Sequence, residues 1–199
     1  MDKAALEAQE LWLAASACVQ ATNEGHETQV RSLIKEIEAV KQVLERNPTD
    51  AFARAVIDSV SKSVYTEEAI RERFLKVEKM AKRTALIGEE GGSLFKYLLS
   101  YLQSALMITP STVDIRAKDK AMDIDALNTF DLVWLARASL DRGDLEQAVK
   151  YVTLLKGEPK NVAGDWLNDA RVLLETRQAC RALMVHASAV GVEALPKNK

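Results

Sequence analysis

Residues 66–108, TEEAIRERFLKVEKMAKRTALIGEEGGSLFKYLLSYLQSALMI, decide the fold because they predict two amphipathic helices joined at a glycine-rich break. Thr66 is placed to cap the first arm, and two glutamates follow it in the first turn, where carboxylates stabilise a helix N-terminus. The break at residues 88–92, GEEGG, contains tandem glycines, which do not continue a helix. The second arm ends before Pro110. The stretch therefore predicts a helical hairpin.

The first arm carries an apolar stripe with a basic flank. Residues 71–83 hold six basic and two acidic residues, a local charge of +4 in a chain whose net charge is −2. Its apolar residues recur at spacings of four and three, so they line one side of a helix. They are Ile70, Phe74, Val77, Ala81 and Ala85. This pattern predicts an amphipathic helix.

The second arm is the most apolar run of the chain, with only four polar residues between 94 and 108. At about 1.5 Å per residue it extends about 22 Å, less than the roughly 30 Å hydrocarbon core, so it does not span a bilayer. A basic amphipathic arm beside an aromatic, leucine-rich arm suits the surface of a membrane. The alternative is that both arms bury their stripes in an ordinary helical core, which the pattern alone favours.

Composition predicts an all-α fold. The 199 residues include only four prolines and eight glycines, and no segment shows sustained strand alternation. The nearly neutral charge gives no support for nucleic-acid binding. We also expect no signal peptide and no transmembrane segment.

No cluster of residues predicts catalysis or metal binding. Cys18 and Cys180 are far apart in sequence and belong to no metal-spaced group, so we expect small, buried apolar roles. His26 and His186 are isolated from carboxylates and cysteines at ligand spacing. No phosphate loop, nucleophile elbow or HExxH motif is present. We therefore predict no enzyme, no cofactor and no metal site.

Three helices are predicted before the hairpin. The second places Val30 and Leu33 on its buried side, and Thr49 or Asp50 caps the third. They either extend a coiled coil or pack as a small bundle. The predicted ranges are residues 2–22, 27–46 and about 51–64.

Three more helices are predicted after a polar stretch. Asp123 or Asp125 starts the first, Asp144 caps the second after a turn at Gly143, and the second ends at Gly157. The last helix runs from about residue 161 to 190. Its apolar stripe, interrupted by Arg177, consists of Trp166, Ala170, Leu173, Cys180, Met184 and Ala187.

Residues 129–159, TFDLVWLARASLDRGDLEQAVKYVTLLKGEP, are similar to one tetratricopeptide-type helical pair. The unit occurs once, whereas solenoids need about three repeats for a continuous core. One functional hypothesis is therefore a helical protein-interaction module without membrane binding, with a peptide groove around residues 125–157.

Six collinear segments together resemble the C-terminal part of the mitofilin family. They cover nearly the whole chain, from about residue 7 to 191. They are EAQELWL (7–13), VYTEEAIRERF (64–74), SLFKYLLSYLQS (93–104), GDLEQAVKYVTLLKGE (143–158), VAGDWLNDARVLLET (162–176) and HASAVG (186–191).

The resemblance implies a non-enzymatic, membrane-shaping scaffold of the mitochondrial contact site and cristae organising system (MICOS). Such proteins are anchored in the inner mitochondrial membrane by an N-terminal span and expose a coiled coil and a helical domain to the intermembrane space. It further implies binding to anionic phospholipid, self-association and binding to a subunit with a CHCH domain. The transit peptide and the span would lie outside this sequence.

The resemblance also assigns residues, and it makes membrane contact the favoured interpretation of the hairpin. The predicted lipid-binding residues are Arg71, Arg73, Phe74, Lys76, Lys79, Leu94, Phe95, Tyr97, Leu98, Tyr101 and Leu102. The predicted partner-binding residues are Trp166, Leu167 and Leu174.

The predicted domain organisation has five segments. They are N-terminal helices after a coiled coil (1–64), the lipid-binding hairpin (65–109), a linker (110–122), a C-terminal helical domain (123–193) and a tail (194–199).

Overall fold

The computed structural model describes residues 3–23, 29–46, 49–86 and 127–194. These residues form seven helices and two short strands, which confirms the all-α fold class. In chain order the elements are α1 (Lys3–Asn23), β1 (Val30–Ser32), α2 (Ile34–Arg46), α3 (Ala51–Ser59), β2 (Ser63–Tyr65), α4 (Glu67–Ala85), α5 (Thr129–Asp141), α6 (Leu145–Thr153) and α7 (Gly157–Glu193).

The chain divides into two compact units. The first comprises residues 1–71 and 168–199, and the second comprises residues 72–167. The first unit therefore holds α1 to α3, the strands, the start of α4 and most of α7. The second holds the rest of α4, α5, α6 and the start of α7. The five-segment division predicted above stays a prediction, and its hinge, second arm and linker lie outside the described residues.

The strand pair corrects the predicted helix boundaries in the first unit. β1 and β2 pair antiparallel, with Arg31 opposite Val64. Val30, predicted in the second helix, is in β1, and α2 begins only at Ile34. The predicted third helix ends at Ser59 instead of reaching Val64. Three-residue strands are too short to show alternation in a sequence, and their pairing is non-local.

Side-chain caps fix several helix starts as predicted. The Asp50 carboxylate accepts from the Ala53 N–H at 2.9 Å at the start of α3. The Asp144 carboxylate accepts from the Gln147 N–H at 2.9 Å at the start of α6. Gly143, just before it, has φ +77°, a left-handed conformation that glycine adopts without steric cost.

Three predicted boundaries in the second half of the chain are wrong. α6 ends at Thr153, whereas it was predicted to reach Gly157. α5 begins at Thr129 with a capping box between Asn128 and Asp131, so neither Asp123 nor Asp125 caps it. α7 begins at Gly157 rather than near residue 161, with Pro159 in its first turn. Proline is tolerated there because the first-turn N–H groups have no partner within the helix.

Candidate functional site

The inward face of α4 is built as predicted from the apolar stripe. The Thr66 hydroxyl accepts from the Ala69 N–H at 3.2 Å and caps the helix. Ile70, Phe74 and Ala81 are fully buried, and Val77 is half-buried. The Phe74 ring packs on the Trp166 indole with centroids 4.9 Å apart and ring planes tilted by 56°. This face is part of the protein core.

A carboxylate on the flank of α4 ties it to α5 within the second unit. Glu78 accepts from Lys82 Nζ at 2.7 Å, one turn along the same helix. It also accepts from Arg137 Nη1 at 3.4 Å, and Arg137 donates through Nε to Asp141 at 3.1 Å. The Glu78 side chain is mostly buried, so this network is partly shielded from water.

The start of α4 is tied to α7 in the first unit. Arg177 donates through Nη1 to the Glu67 carboxylate at 2.8 Å and through Nη2 to the Thr22 carbonyl at 3.0 Å. Thr22 lies in the last turn of α1, where carbonyl groups lack partners within the helix. Only 12% of the Arg177 side chain is exposed. The arginine that interrupts the apolar stripe of α7 is therefore a link between three helices.

The outward face of α4 combines exposed apolar and basic side chains. Leu75 is 48% exposed and Met80 is 44% exposed. Lys76 and Lys79 are also exposed and lie between them in sequence, while Arg83 is half-buried. We call Leu75, Lys76, Lys79 and Met80 the outward patch. The outward patch can bind a surface that is both negatively charged and apolar.

The predicted lipid-binding residues of α4 do not share one environment. Lys76 and Lys79 are exposed in the outward patch, whereas Phe74 is buried. Arg71 and Arg73 are half-buried, and Arg71 is 3.9 Å from the Glu68 carboxylate. The predicted residues of the second arm lie outside the described ranges. They are Leu94, Phe95, Tyr97, Leu98, Tyr101 and Leu102.

Sequence reasoning missed Leu75 and Met80 as surface residues. At 100° per residue around the helix axis, both residues lie outside the apolar stripe, so their exposure could have been predicted from the sequence. Of the predicted partner-binding residues, Trp166 and Leu167 are buried and Leu174 is half-buried. Their assignment to a partner stays a prediction.

His186 on α7, which is isolated in the sequence pattern, contacts two residues near the start of α3. His186 Nε2 lies 2.8 Å from Asp50 Oδ2, and its ring packs on Phe52 with centroids 4.8 Å apart. Asp50 therefore caps α3 with one oxygen and contacts His186 with the other. Among the described residues, no group of three or more histidine, cysteine or acidic residues is arranged to hold a metal. None of the helices in the described ranges has the length and apolarity to cross a membrane.

Three proteins with similar sequences are named as MICOS complex subunits. The MICOS complex subunit Mic60 of Drosophila melanogaster is 40% identical over 203 residues, covering 96% of this chain and 27% of that protein. The MICOS complex subunit MIC60 of Sordaria macrospora is 27% identical over 187 residues, with 92% and 25% coverage. The MICOS complex subunit MIC60-2 of Caenorhabditis elegans is 29% identical over 149 residues, with 72% and 22% coverage. The chain spans about a quarter of the length of these relatives.

No solved structure matches the chain. The family model for Mitofilin, described as a mitochondrial inner membrane protein, matches residues 1–188. The chain therefore belongs to the Mitofilin family of mitochondrial inner membrane proteins.

Proposed function

We propose that this chain is the membrane-facing part of a non-enzymatic MICOS scaffold that forms and maintains cristae junctions. In this proposal the outward patch of α4 binds anionic phospholipid together with the second arm, residues 94–108. The observation that carries the proposal is the outward patch itself: two half-exposed apolar side chains beside two exposed lysines, on a helix whose opposite face is core.

Magnitudes indicate how the patch would be used. A lysine near an anionic surface contributes about 1 kcal/mol, and burying the exposed half of a leucine or methionine contributes about 1 kcal/mol. The four side chains together provide about 4 kcal/mol, which corresponds to a dissociation constant of about 1 mM. α4 alone therefore binds lipid weakly. Stable contact requires the second arm or several copies of the chain.

The role of Phe74 follows from its burial. Because its ring has no exposed surface and packs on Trp166, it supports the outward patch from beneath instead of inserting into lipid. Changing Arg73 and Phe74 to aspartate should abolish membrane binding, but it also places a charge in the core. Loss of binding by that variant must therefore be compared with a measurement of whether the variant is folded.

The test is flotation of the full chain with phosphatidylcholine vesicles that contain or lack phosphatidylserine, at low and high salt. Lys76→Glu with Lys79→Glu should remove binding to the anionic vesicles. A matched control is Lys156→Glu with Lys160→Glu, two exposed lysines of the same unit, which should float like the unmodified chain. Equal flotation of the two double variants would contradict the proposal. So would an unmodified chain that floats with neither kind of vesicle.

We further propose self-association and binding to a CHCH-domain MICOS subunit. The support is the family resemblance and the membership of the relatives in the MICOS complex. Since Trp166 and Leu167 are buried, we expect a partner to contact other residues unless the domain opens. Sedimentation equilibrium of the chain alone and with a CHCH domain tests both claims; a monomer in each case would contradict them.

A tetratricopeptide-like interaction module without membrane binding is the second candidate. The observation that favours it is the pairing of α5 with α6, which pack together across the turn at Gly143. Phe130, Trp134 and Tyr151 on this pair are half-buried and offer aromatic surface to a peptide. The candidate predicts no flotation with either vesicle, so the same experiment separates the two functions.

A further inference from the structure

Helices α1 and α7 pack antiparallel in a defined register within the first unit. Near one end of the contact, a Cβ placed on Gly191 would lie 3.5 Å from the Cβ of Ala8. Near the other end, Arg177 Nη2 donates to the Thr22 carbonyl at 3.0 Å. Between these two contacts the residue number rises on α1 from 8 to 22 and falls by the same amount on α7, from 191 to 177. The two helices therefore run side by side in opposite directions.

This register brings two cysteines together that are far apart in sequence. Counting along both helices from either contact places Cys18 opposite residue 181, whose neighbour Cys180 is buried. Cys18 and Cys180 are each fully buried and their thiols are free, and each thiol lies close enough to shift the pKa of the other. The sequence alone predicts two separate small core residues, because nothing in it gives the register of α1 on α7.

The residues around the thiol pair allow the two backbones to come close. The buried positions of α1 on either side of Cys18 are Ala15 and Ala21, and Gly191 continues the small-residue contact on α7. Small side chains on facing helices reduce the distance between the cysteine Cβ atoms, which a disulfide requires to be short.

We propose that Cys18 and Cys180 are a modification site: they form a reversible disulfide that ties α1 to α7. The oxidant is a disulfide, either a small molecule or a protein. One cysteine thiolate displaces a thiolate from the oxidant and forms a mixed disulfide. The second cysteine thiolate then attacks the sulfur of the first cysteine and releases the other thiolate. The two cysteine protons end on the two released thiolates, so the oxidant is reduced to two thiols.

The interaction between the two thiols shifts their pKa values in opposite directions. The hydrogen bond from Cys180 lowers the pKa of Cys18, against the effects of burial and of the Glu36 carboxylate. The hydrogen bond to Cys18, together with burial, raises the pKa of Cys180 well above its usual range. Because both sulfurs are buried, oxidation requires α1 to open from α7.

The consequence is a redox-dependent strengthening of the first unit. A disulfide between residues 18 and 180 closes a very long loop, and long loops give the largest stabilisation in the chain-entropy model. Oxidation would hold α1 on α7 while the reduced protein allows α1 to detach.

The test uses the full chain with oxidised glutathione, followed by thiol counting in denaturant, peptide mapping and urea unfolding. We expect the oxidised monomer to lose both titratable thiols and to yield one linked peptide pair containing Cys18 and Cys180. We also expect a higher urea midpoint that returns to the starting value with reductant. A low urea concentration should accelerate oxidation, because it populates the open state.

The controls are Cys18→Ala, Cys180→Ala and the double variant. Each single variant should keep one cysteine, either as the free thiol or as its glutathione adduct. None of the three variants should show the reversible rise in urea midpoint. Three outcomes would overturn the proposal: both thiols surviving oxidation even when the chain is refolded with oxidant, disulfides forming only between chains, or glutathione adducts on both cysteines without a link.

Discussion

On the inward face of α4, Phe74 is buried against Trp166, whereas on the outward face its neighbour Leu75 is about half exposed beside Lys76. The two residues are adjacent in sequence and both are large and apolar. Their surroundings differ because one turn of a helix is 3.6 residues, so successive side chains point about 100° apart. The comparison separates residues that hold the fold from residues on the exposed surface.

The difference shows that one helix can present a core face and an exposed face with apolar and basic side chains. An apolar stripe with basic flanks is what both a core helix and an interfacial helix require. In α4 the stripe is used by the core, and Leu75 and Met80 are the exposed large apolar side chains. Substitutions on the two faces should therefore separate loss of folding from loss of lipid binding.

The largest effect is expected on the inward face. Phe74→Ala should lower the free energy of unfolding of the second unit by about 3–5 kcal/mol, because it leaves a cavity beside Trp166. Urea unfolding monitored by circular dichroism measures this change in the free energy of unfolding. Leu75→Ala, one residue along, is the matched control and should change the free energy by less than about 0.5 kcal/mol. Equal effects of the two substitutions would remove the distinction between the faces.

The next effect is expected where α4 begins. Arg177→Ala should cost about 2–3 kcal/mol, because it leaves the Glu67 carboxylate and the Thr22 carbonyl without their shared donor. Arg181, one turn further along α7, is exposed, and Arg181→Ala should be nearly neutral. A neutral Arg177→Ala in the same unfolding assay would show that this link contributes no stability.

A smaller effect is expected on the flank of α4. Glu78→Ala should cost about 1–2 kcal/mol, since Arg137 keeps its bond to Asp141 and both partners retain access to water. Glu72→Ala, at an exposed position on the same helix, serves as the control. A double-mutant cycle of Glu78 with Arg137 isolates their coupling, and zero coupling would contradict the proposed tie between α4 and α5.

Local chemistry was predictable from the sequence where it depends on a few neighbouring residues. Thr66, Asp50 and Asp144 each carry a short side chain with an oxygen just before a periodic apolar run, and each accepts from a backbone N–H as expected. Gly143 likewise has the positive φ that was predicted for its turn. The apolar stripe of α4 was also located correctly.

Long-range partners were not predictable. The strand pair depends on a register between residues 30–32 and 63–65 that no local pattern records. The burial of Phe74 depends on Trp166, and the meeting of the two cysteines depends on how α1 packs on α7. An amphipathic stripe specifies which side of a helix is covered, but not whether protein or lipid covers it.

The smallest effect on stability, with the largest on binding, is expected on the outward face. Leu75→Asp with Met80→Asp should leave the free energy of unfolding within about 1 kcal/mol of the unmodified chain, because both side chains point outward. The matched control is Leu154→Asp, a 40% exposed leucine that follows α6 in the same unit.

Flotation of these two variants with phosphatidylserine-containing vesicles is the decisive test of lipid binding by α4. We expect the Leu75→Asp, Met80→Asp variant to remain folded by circular dichroism and to stay in the soluble fraction, while Leu154→Asp floats with the vesicles. If the folded outward-patch variant floats as well as the unmodified chain, α4 does not bind lipid through this face.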